Sequence, residues 1–296
     1  MVGIVILNYI KYEETIKCVE SIENNTFIKH HIFIIDNNSP NNSYQILTNC
    51  YKDKKNITVI FSHENGGYAK GNNIGVKACI ECGIEYAVIA NNDIIFLDNS
   101  IDQLYQYIVK SKSDVIVGPK IVDNEHNCCS PPFIKRQNLL EYLEVISKKR
   151  LLYPVEKCDL FSKVYTVSGC CFIINIKKFV AMKAFDENTF LYNEEAILSK
   201  QAENNHLELA YFPKSVVIHN HQNPRNISGS FTDFEILKSG LYYWKKYRNL
   251  SNAKLRGIFI FWVVKIILKI GVKKISSDNF FKYLKSANLY LKKIAI

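Results

Sequence analysis

The segment after the first apolar run carries no glycine. It reads Asn8-Tyr9-Ile10-Lys11 where a dinucleotide fold would place G-x-G-x-x-G, and no G-x-x-x-x-G-K-[ST] occurs in the chain. Those absences count against a dinucleotide enzyme and against a P-loop NTPase. Glycine and proline are scarce, at 12 and 7 residues, and no linker, internal repeat or low-complexity tract divides the sequence. Cysteine is present but unorganised. Nine residues, an odd number, include one CxxC at Cys79–Cys82, with neither a second CxxC nor a convincing histidine partner after it. Buried or half-buried small side chains are therefore favoured over a zinc or redox centre. Met1 leads straight into an apolar run without a secretory segment, so the expectation is free thiols in a cytoplasmic, reducing compartment. Acidic residues are missing from one end only. Residues 245–296 carry 13 Lys and Arg against the single acid Asp278, whereas the other 244 residues carry 25 against 27. The basicity is a property of the tail, and a near-neutral body argues against a surface that wraps nucleic acid.

What is present describes a globular chain: 296 residues, 48% apolar and 22% charged, with room for one large core or two modest domains. Short apolar runs at Val2–Leu7, His31–Ile35, Ile57–Phe61, Tyr86–Ala90 and Asp114–Gly118 alternate with helical spacing over Tyr12–Asn24, about 41–50, Ala69–Cys82 and 99–110. This rhythm predicts βαβ units and a mainly parallel α/β sheet with helices on both faces. Ser39-Pro40 is expected to cap and open the second helix. After Pro119 the rhythm breaks. A helix-like stretch near 137–150 follows, sheet character resumes at Val164–Ile174, and Glu194–Asn204 reads as a helix. His206–Tyr211 and Ser215–His219 read as two short strands, before a helical tail from about Phe231.

The stretch Glu85–Asp98 organises the rest. A strand buried on both faces ends abruptly in Asn91-Asn92-Asp93 and turns apolar again at Ile94–Leu97. Ligands of open α/β sheets bind outside the carboxyl ends of the strands, where a lone carboxylate can hold a hard cation and the cation a phosphate. An ordinary polar turn is the alternative for these three residues. Asn8-Tyr9, Asp36 and the Asn65–Gly71 loop fall at equivalent strand ends, so they can converge on a crevice that suits a nucleotide. Asp36 can accept from a base N–H, Tyr9 can stack, and Lys70 with the following helix amides can face phosphate. Each has a plainer reading as well: a helix cap for Asp36, core for Tyr9, solvated surface for Lys70.

Taken in order, these stretches resemble a known family. Ile4–Tyr9, Ile34–Ser39, Glu64–Asn73, Asn91–Asp93, Val167–Phe172, Phe185–Glu187, Phe190–Glu195 and His219 are similar to the inverting, metal-dependent glycosyltransferases of family 2, of the GT-A fold. The likeness is to the rhamnosyltransferase-like enzymes of bacterial surface polysaccharide assembly, and it runs from Val2 to about Ser230. The resemblance implies a catalytic domain over 1–230, with a nucleotide-sugar half at 1–118 and an acceptor half at 119–230, and an extension over 231–296. It implies donor contacts from Asn8, Tyr9, Asp36, Asn65, Lys70, Asn91 and Asn92. Mg2+ or Mn2+ would be held by Asp93, with His219 as a further ligand and His221 as its rival. Asn91 stands where the family usually has the first acid of its DxD-like motif, which leaves one carboxylate for the metal. Glu195 stands where the family often has aspartate as catalytic base, with Glu194 beside it to bind or orient.

An inverting transfer needs a carboxylate to take the acceptor hydroxyl's proton and positive charge on the departing diphosphate. Glu194 and Glu195 at a helix start also complement the helix dipole without any catalytic role. In the tail, Gly257–Val272 is too short and too charged for a span of ~20 apolar residues, because Lys265 and Lys269 lie inside it. With Lys273 these lysines recur every four residues beside Ile, Phe, Trp and Val. That predicts an amphipathic helix in an anionic membrane interface, with packing on the body or in a homo-oligomer as the alternative. The expectation is a glycosyltransferase at the cytoplasmic face of the membrane, using a nucleotide-sugar donor and a lipid-linked oligosaccharide or polysaccharide acceptor. A silent sugar-nucleotide-binding or scaffold protein, or a sugar nucleotidyltransferase, stands against it.

Overall fold

Nine strands form one sheet in the computed structural model, which describes residues 1–141, 162–220, 230–272 and 279–294. They are β1 (Val2–Asn8), β2 (His30–Asp36), β3 (Ile57–Phe61), β4 (Tyr86–Asn91), β5 (Ile94–Phe96), β6 (Asp114–Val122), β7 (Ser162–Val164), β8 (Cys171–Asn175) and β9 (Glu208–His219). The first four, with helices α1 (Tyr12–Asn25), α2 (Ser43–Tyr51) and α3 (Gly67–Glu81) between them, pair in parallel in the order β3-β2-β1-β4. That is the expected arrangement. The Val and Ile runs of β1, β2 and β4 are buried, as strands covered by helices must be, whereas β3 at the sheet edge buries only Ile57.

Beyond β4 the mainly parallel expectation is corrected. β8 inserts between β4 and β6 and runs antiparallel to both, β5 and β7 pair antiparallel with β9, and only β6 and β9 are parallel there. A parallel neighbour needs a long crossover, usually a helix, and the helical rhythm stops at Pro119. The strand expected to end at Gly118 continues to Val122 because Pro119 sits at a register shift against β9, where a missing N–H is tolerated. Across from that shift, the two strands expected at 206–211 and 215–219 are one strand with an irregularity. Helices α4 (Ser100–Lys110), α5 (Ile176–Ala181) and α6 (Glu194–Asn204) follow the sequence reading or fill its gaps, and α6 matches its expected bounds. Most of the 137–150 stretch lies outside the described residues.

The chain divides into two compact units, 1–185 with 201–220 and 186–200 with 221–296. In the first, α3 lies unusually close to β1. A Cβ on Gly75 would sit 2.2 Å from Val5 Cγ1, and one on Gly71 would sit 2.3 Å from Leu7 Cδ1. Helix propensity alone favours Ala over Gly by about 1 kcal/mol. Contact at that distance with the fully buried Val5 reverses the sign at Gly75, since overpacking costs about 1–3 kcal/mol. Gly75→Ala is thus expected to lower the urea midpoint, and a raised midpoint would show that the helix stands further off. The eight described cysteines form no disulfide; Cys79 is buried as expected, whereas Cys82 is exposed.

In the second unit, α7 (Ser230–Lys246) packs with α8 (Asn252–Gly271) and α9 (Phe280–Ile294). Phe234, Leu237 and Leu241 of α7, Trp262 and Ile266 of α8, and Ala287 and Leu291 of α9 are buried. Lys269 closes an ion pair with Asp233 across α8 and α7, at 2.5 and 2.8 Å from its two carboxylate oxygens. No described helix is long and apolar enough to cross a membrane.

Candidate functional site

Parallel registry places Asn8 opposite Asp36 and Leu7 opposite Asn91, so the carboxyl ends of β1, β2 and β4 stand side by side. Their side chains form a continuous network. Asn8 Nδ2 donates to Asp36 Oδ2 at 2.7 Å, Thr15 Oγ1 donates to Asn8 Oδ1 at 2.7 Å, and Asn92 Nδ2 donates to Thr15 Oγ1 at 3.1 Å. Asp36 also accepts from the Ser39 amide at 2.9 Å and the Ser39 hydroxyl at 2.8 Å. Asn8 and Asp36 are fully buried and form a frame at the strand ends, whereas Tyr9 is 43% exposed. Ser39 is therefore not the helix cap expected of it: α2 starts at Ser43, and Ser39 ties the β2 loop to the β1 loop by accepting from the Ile10 amide at 2.8 Å.

Ile10 has φ +70°, an uncommon conformation for a β-branched residue. Its carbonyl is held by Asn41 Nδ2 at 2.8 Å and Ser43 Oγ at 3.0 Å. Backbone strain fixed by surrounding bonds is characteristic of ligand-binding loops.

The second loop is built around Asn65. Its Oδ1 accepts from Asn37 Nδ2 at 3.0 Å and from the Gly67 amide at 3.2 Å. Gly67 adopts φ +80°, which glycine supplies without strain, and it opens α3 there. Lys70, on the first turn of α3, forms an ion pair with Glu64. Both side chains are well exposed, so the pair is weakly held.

Asp93 and His219 meet because β5 turns back from Asp93 and pairs antiparallel with β9, setting Ile94 opposite His219. The Asn220 amide donates to the Asp93 carbonyl at 2.9 Å and closes the corner. His219 Nε2 lies 3.2 Å from Asp93 Oδ1, with both side chains mostly buried. Burial by itself would lower the imidazole pKa. Hydrogen bonds with Asp93, Cys129 and Cys170 outweigh it and push His219 up to about 12. The same carboxylate adds to burial in pushing the Cys18 thiol up. A divalent cation of the Mn2+ or Mg2+ type would have to displace the His219 proton, after which the carboxylate oxygen would serve as a hard ligand and the imidazole nitrogen as a borderline one. Among the described residues no group of three or more His, Cys, Asp or Glu side chains is placed to hold a metal ion. His221 lies outside the described residues.

Glu194 and Glu195 belong to the second unit. Two successive left-handed residues, Tyr192 at φ +73° and Asn193 at φ +66°, deliver the chain into α6. Glu194 is 7% exposed, and its Oε1 has no hydrogen-bond partner among the described residues. Burial, and then the neighbouring Glu195 charge, push its carboxyl up to about 8. Glu195 is half-buried. At the start of this segment Asp186 accepts from Tyr247 Oη at 2.6 Å, Tyr242 Oη at 2.8 Å, Asn188 Nδ2 through its other oxygen at 2.7 Å, and Lys246 Nζ at 3.0 Å. Burial opposes ionisation, but these donors prevail and hold Asp186 far below the usual carboxylate range. It anchors to α7 the segment that leads to the Glu194–Glu195 pair.

The structure thus joins Asn8, Asp36 and Asn92 in one network and Asp93 with His219 in another, and sets Asn65 on the loop before α3 and Lys70 in the first turn of that helix. The sequence reading gives no site role to Thr15 or Asn37, and gives Ser39 only that of a helix cap. Thr15 lies one helical turn into α1 with no motif to mark it, and only the register of β1 reveals its role. The Cys129 and Cys170 thiols at His219 are likewise brought in by the β6–β8 half of the sheet.

A model of the family "Glycosyl transferase family 2" matches residues 3–180. Among curated proteins, Glycosyltransferase GlyG of Streptococcus pneumoniae serotype 4 is 27% identical over 118 residues, 40% of this chain and 38% of that protein. The low-salt glycan biosynthesis hexosyltransferase Agl10 of Haloferax volcanii is 27% identical over 225 residues, 74% of this chain and 66% of that protein. The chain therefore spans from about two fifths to two thirds of these relatives' length. Among solved structures, GalNAc-T7 with UDP, GalNAc and Mn2+ aligns with a TM-score of 0.63 at 14% identity, covering 100% of this chain and 56% of that one. TarS 1–349 of S. aureus with UDP-GlcNAc aligns with a TM-score of 0.58 at 12% identity, covering 100% and 81%. At such identities the likeness concerns the fold, which is GT-A.

Proposed function

The chain belongs to glycosyl transferase family 2, and on that premise we propose that it transfers a sugar from a nucleotide-sugar donor to a hydroxyl of a lipid-linked glycan, with inversion. The observation that carries the reading is the Asp93–His219 pair at the end of β4, beside the strained Tyr9–Lys11 loop and the Gly67 turn. In this reading Tyr9 stacks on the base, and the Asn8–Asp36 frame fixes the loop that presents it. The α3 amides and Lys70 face the diphosphate, Lys70 exchanging its exposed partner Glu64 for phosphate oxygen. Asp93 and His219 hold Mg2+ or Mn2+, which when bound supplies positive charge for the departing diphosphate. Glu195 takes the proton of the attacking hydroxyl. Glu194, which keeps its own proton near neutrality, donates a hydrogen bond that positions the acceptor. The basic residues within 242–296 bring the enzyme to an anionic membrane on the cytoplasmic side, where a lipid-linked acceptor resides.

Hydrolysis of UDP-, dTDP- and GDP-sugars, followed with Mn2+ and with EDTA, tests the reading. One nucleotide class is expected to turn over with metal and to stop with EDTA. No hydrolysis of any donor, together with nucleotide binding that ignores metal, would leave a silent binding protein.

A further inference from the structure

Helix α8 has two apolar faces, and among the described residues only one of them is covered. Leu255, Ile258, Trp262 and Ile266, spaced by three and four residues, form the buried face. Ile260, Phe261, Val264, Ile267, Leu268 and Val272 repeat at one, three and four residues on the opposite side, and all are exposed, Ile260 by 61% and Leu268 by 64%. Of the lysines expected to present this helix to a membrane, the two described ones lie beside the buried face. Lys269 is bound to Asp233, Lys265 lies 4.6 Å from the centroid of the Trp262 ring, and Lys273 falls outside the described residues. Spacing explains the difference: positions 265 and 269 follow Trp262 and Ile266 by three residues, so they flank the buried face.

We propose that the exposed face of α8 is the surface that inserts into the interface of an anionic lipid bilayer. Charge selects this occupant over a second copy of the chain. Lys254 and Arg256 at the head of α8, and Lys282, Lys285, Lys292 and Lys293 on α9, are exposed, and residues 245–296 hold one acid in all. Two such surfaces brought face to face repel each other, whereas an anionic surface draws each one in. Exposed Phe281 and Leu289 on α9 extend the same apolar and basic composition. The helix lies in the interface and does not cross it, since Lys265 and Lys269 interrupt its apolar run and Lys254 and Arg256 head it.

The proposal rests on the membrane-associated transferase reading for its motive, and its test is separable from that reading. Full-length protein and the double variant Val264→Asp/Leu268→Asp are sedimented with phosphatidylcholine–phosphatidylglycerol vesicles and with phosphatidylcholine alone, while nucleotide binding is measured in parallel. The wild type is expected to partition onto the anionic vesicles, and the double variant to lose at least ~10-fold in partition with unchanged nucleotide affinity. Lys282→Glu/Lys285→Glu is expected to weaken binding and flatten its salt dependence. A double variant that sediments like the wild type overturns the proposal. So does a wild type that stays in the supernatant and runs in light scattering as a dimer which the double variant dissolves, because the face then belongs to a second copy.

Discussion

Asp93→Ala is expected to lower transfer by at least ~10²-fold while the protein still folds. The carboxylate sits at a strand end, and its bonds are local: His219 on β9 and, through its backbone, Asn220. Removing it deletes the oxygen ligand and leaves the mostly buried His219 imidazole without its acid partner. His219 then loses the largest influence that raises its pKa, and burial favours the neutral ring. Titration calorimetry of the nucleotide with and without Mn2+ separates the effects. In the wild type, Mn2+ should tighten nucleotide binding, and in Asp93→Ala that tightening should vanish while metal-free affinity stays close to wild type. Equal wild-type affinity in both conditions would remove Asp93 from the metal site. A thermal melt of the variant, expected to remain cooperative, guards against simple unfolding.

The half of the fold that could be read in the sequence is the half built by repetition. Val2–Leu7, His31–Ile35, Ile57–Phe61 and Tyr86–Ala90 are short, β-branched and separated by helical spacing, and βαβ handedness leaves few ways to arrange them. The strand ends followed, and with them the positions of Asn8, Asp36, Asn65 and Asp93. Past Pro119 the arrangement depends on long-range pairing with no local signal. Nothing in Cys171–Asn175 says that it will enter between β4 and β6 and run against both. The polar network had the same limit. A threonine inside a helix reads as neutral, and Thr15 becomes a bridge between Asn8 and Asn92 only when two strands and a helix set the distances. In the tail the composition was legible and the facing was not. Lysines at every fourth position lie on one side of a helix, but Asp233 and Trp262 decide which side that is.

Glu195→Gln is expected to leave donor affinity intact and to reduce kcat by at least ~10²-fold, because glutamine keeps the size and much of the hydrogen bonding but cannot take a proton. Its neighbour is expected to behave differently. Glu194 is pushed from the ordinary 4.5 to about 8 by burial and by the Glu195 charge, so near neutrality it carries a proton that glutamine imitates. Glu194→Gln should therefore reduce kcat less than Glu195→Gln does. The sign of its effect on stability follows from the raised pKa. The folded state holds this proton more tightly than the unfolded chain. The wild type thus pays nothing below the unfolded pKa of 4.5, loses stability progressively as pH rises toward about 8, and changes no further above it. Glu194→Gln removes that loss, so its stability relative to wild type should rise with pH through this window. Urea midpoints at about pH 4 and about pH 9 measure the difference. A constant offset between the two proteins would mean that Glu194 titrates normally and is ionised at neutrality. Near-normal turnover in Glu195→Gln, with a large loss in Glu194→Gln, would transfer the base to the buried carboxylate. Loss of donor binding in either variant would make the start of α6 a donor contact, and a base would have to be sought elsewhere.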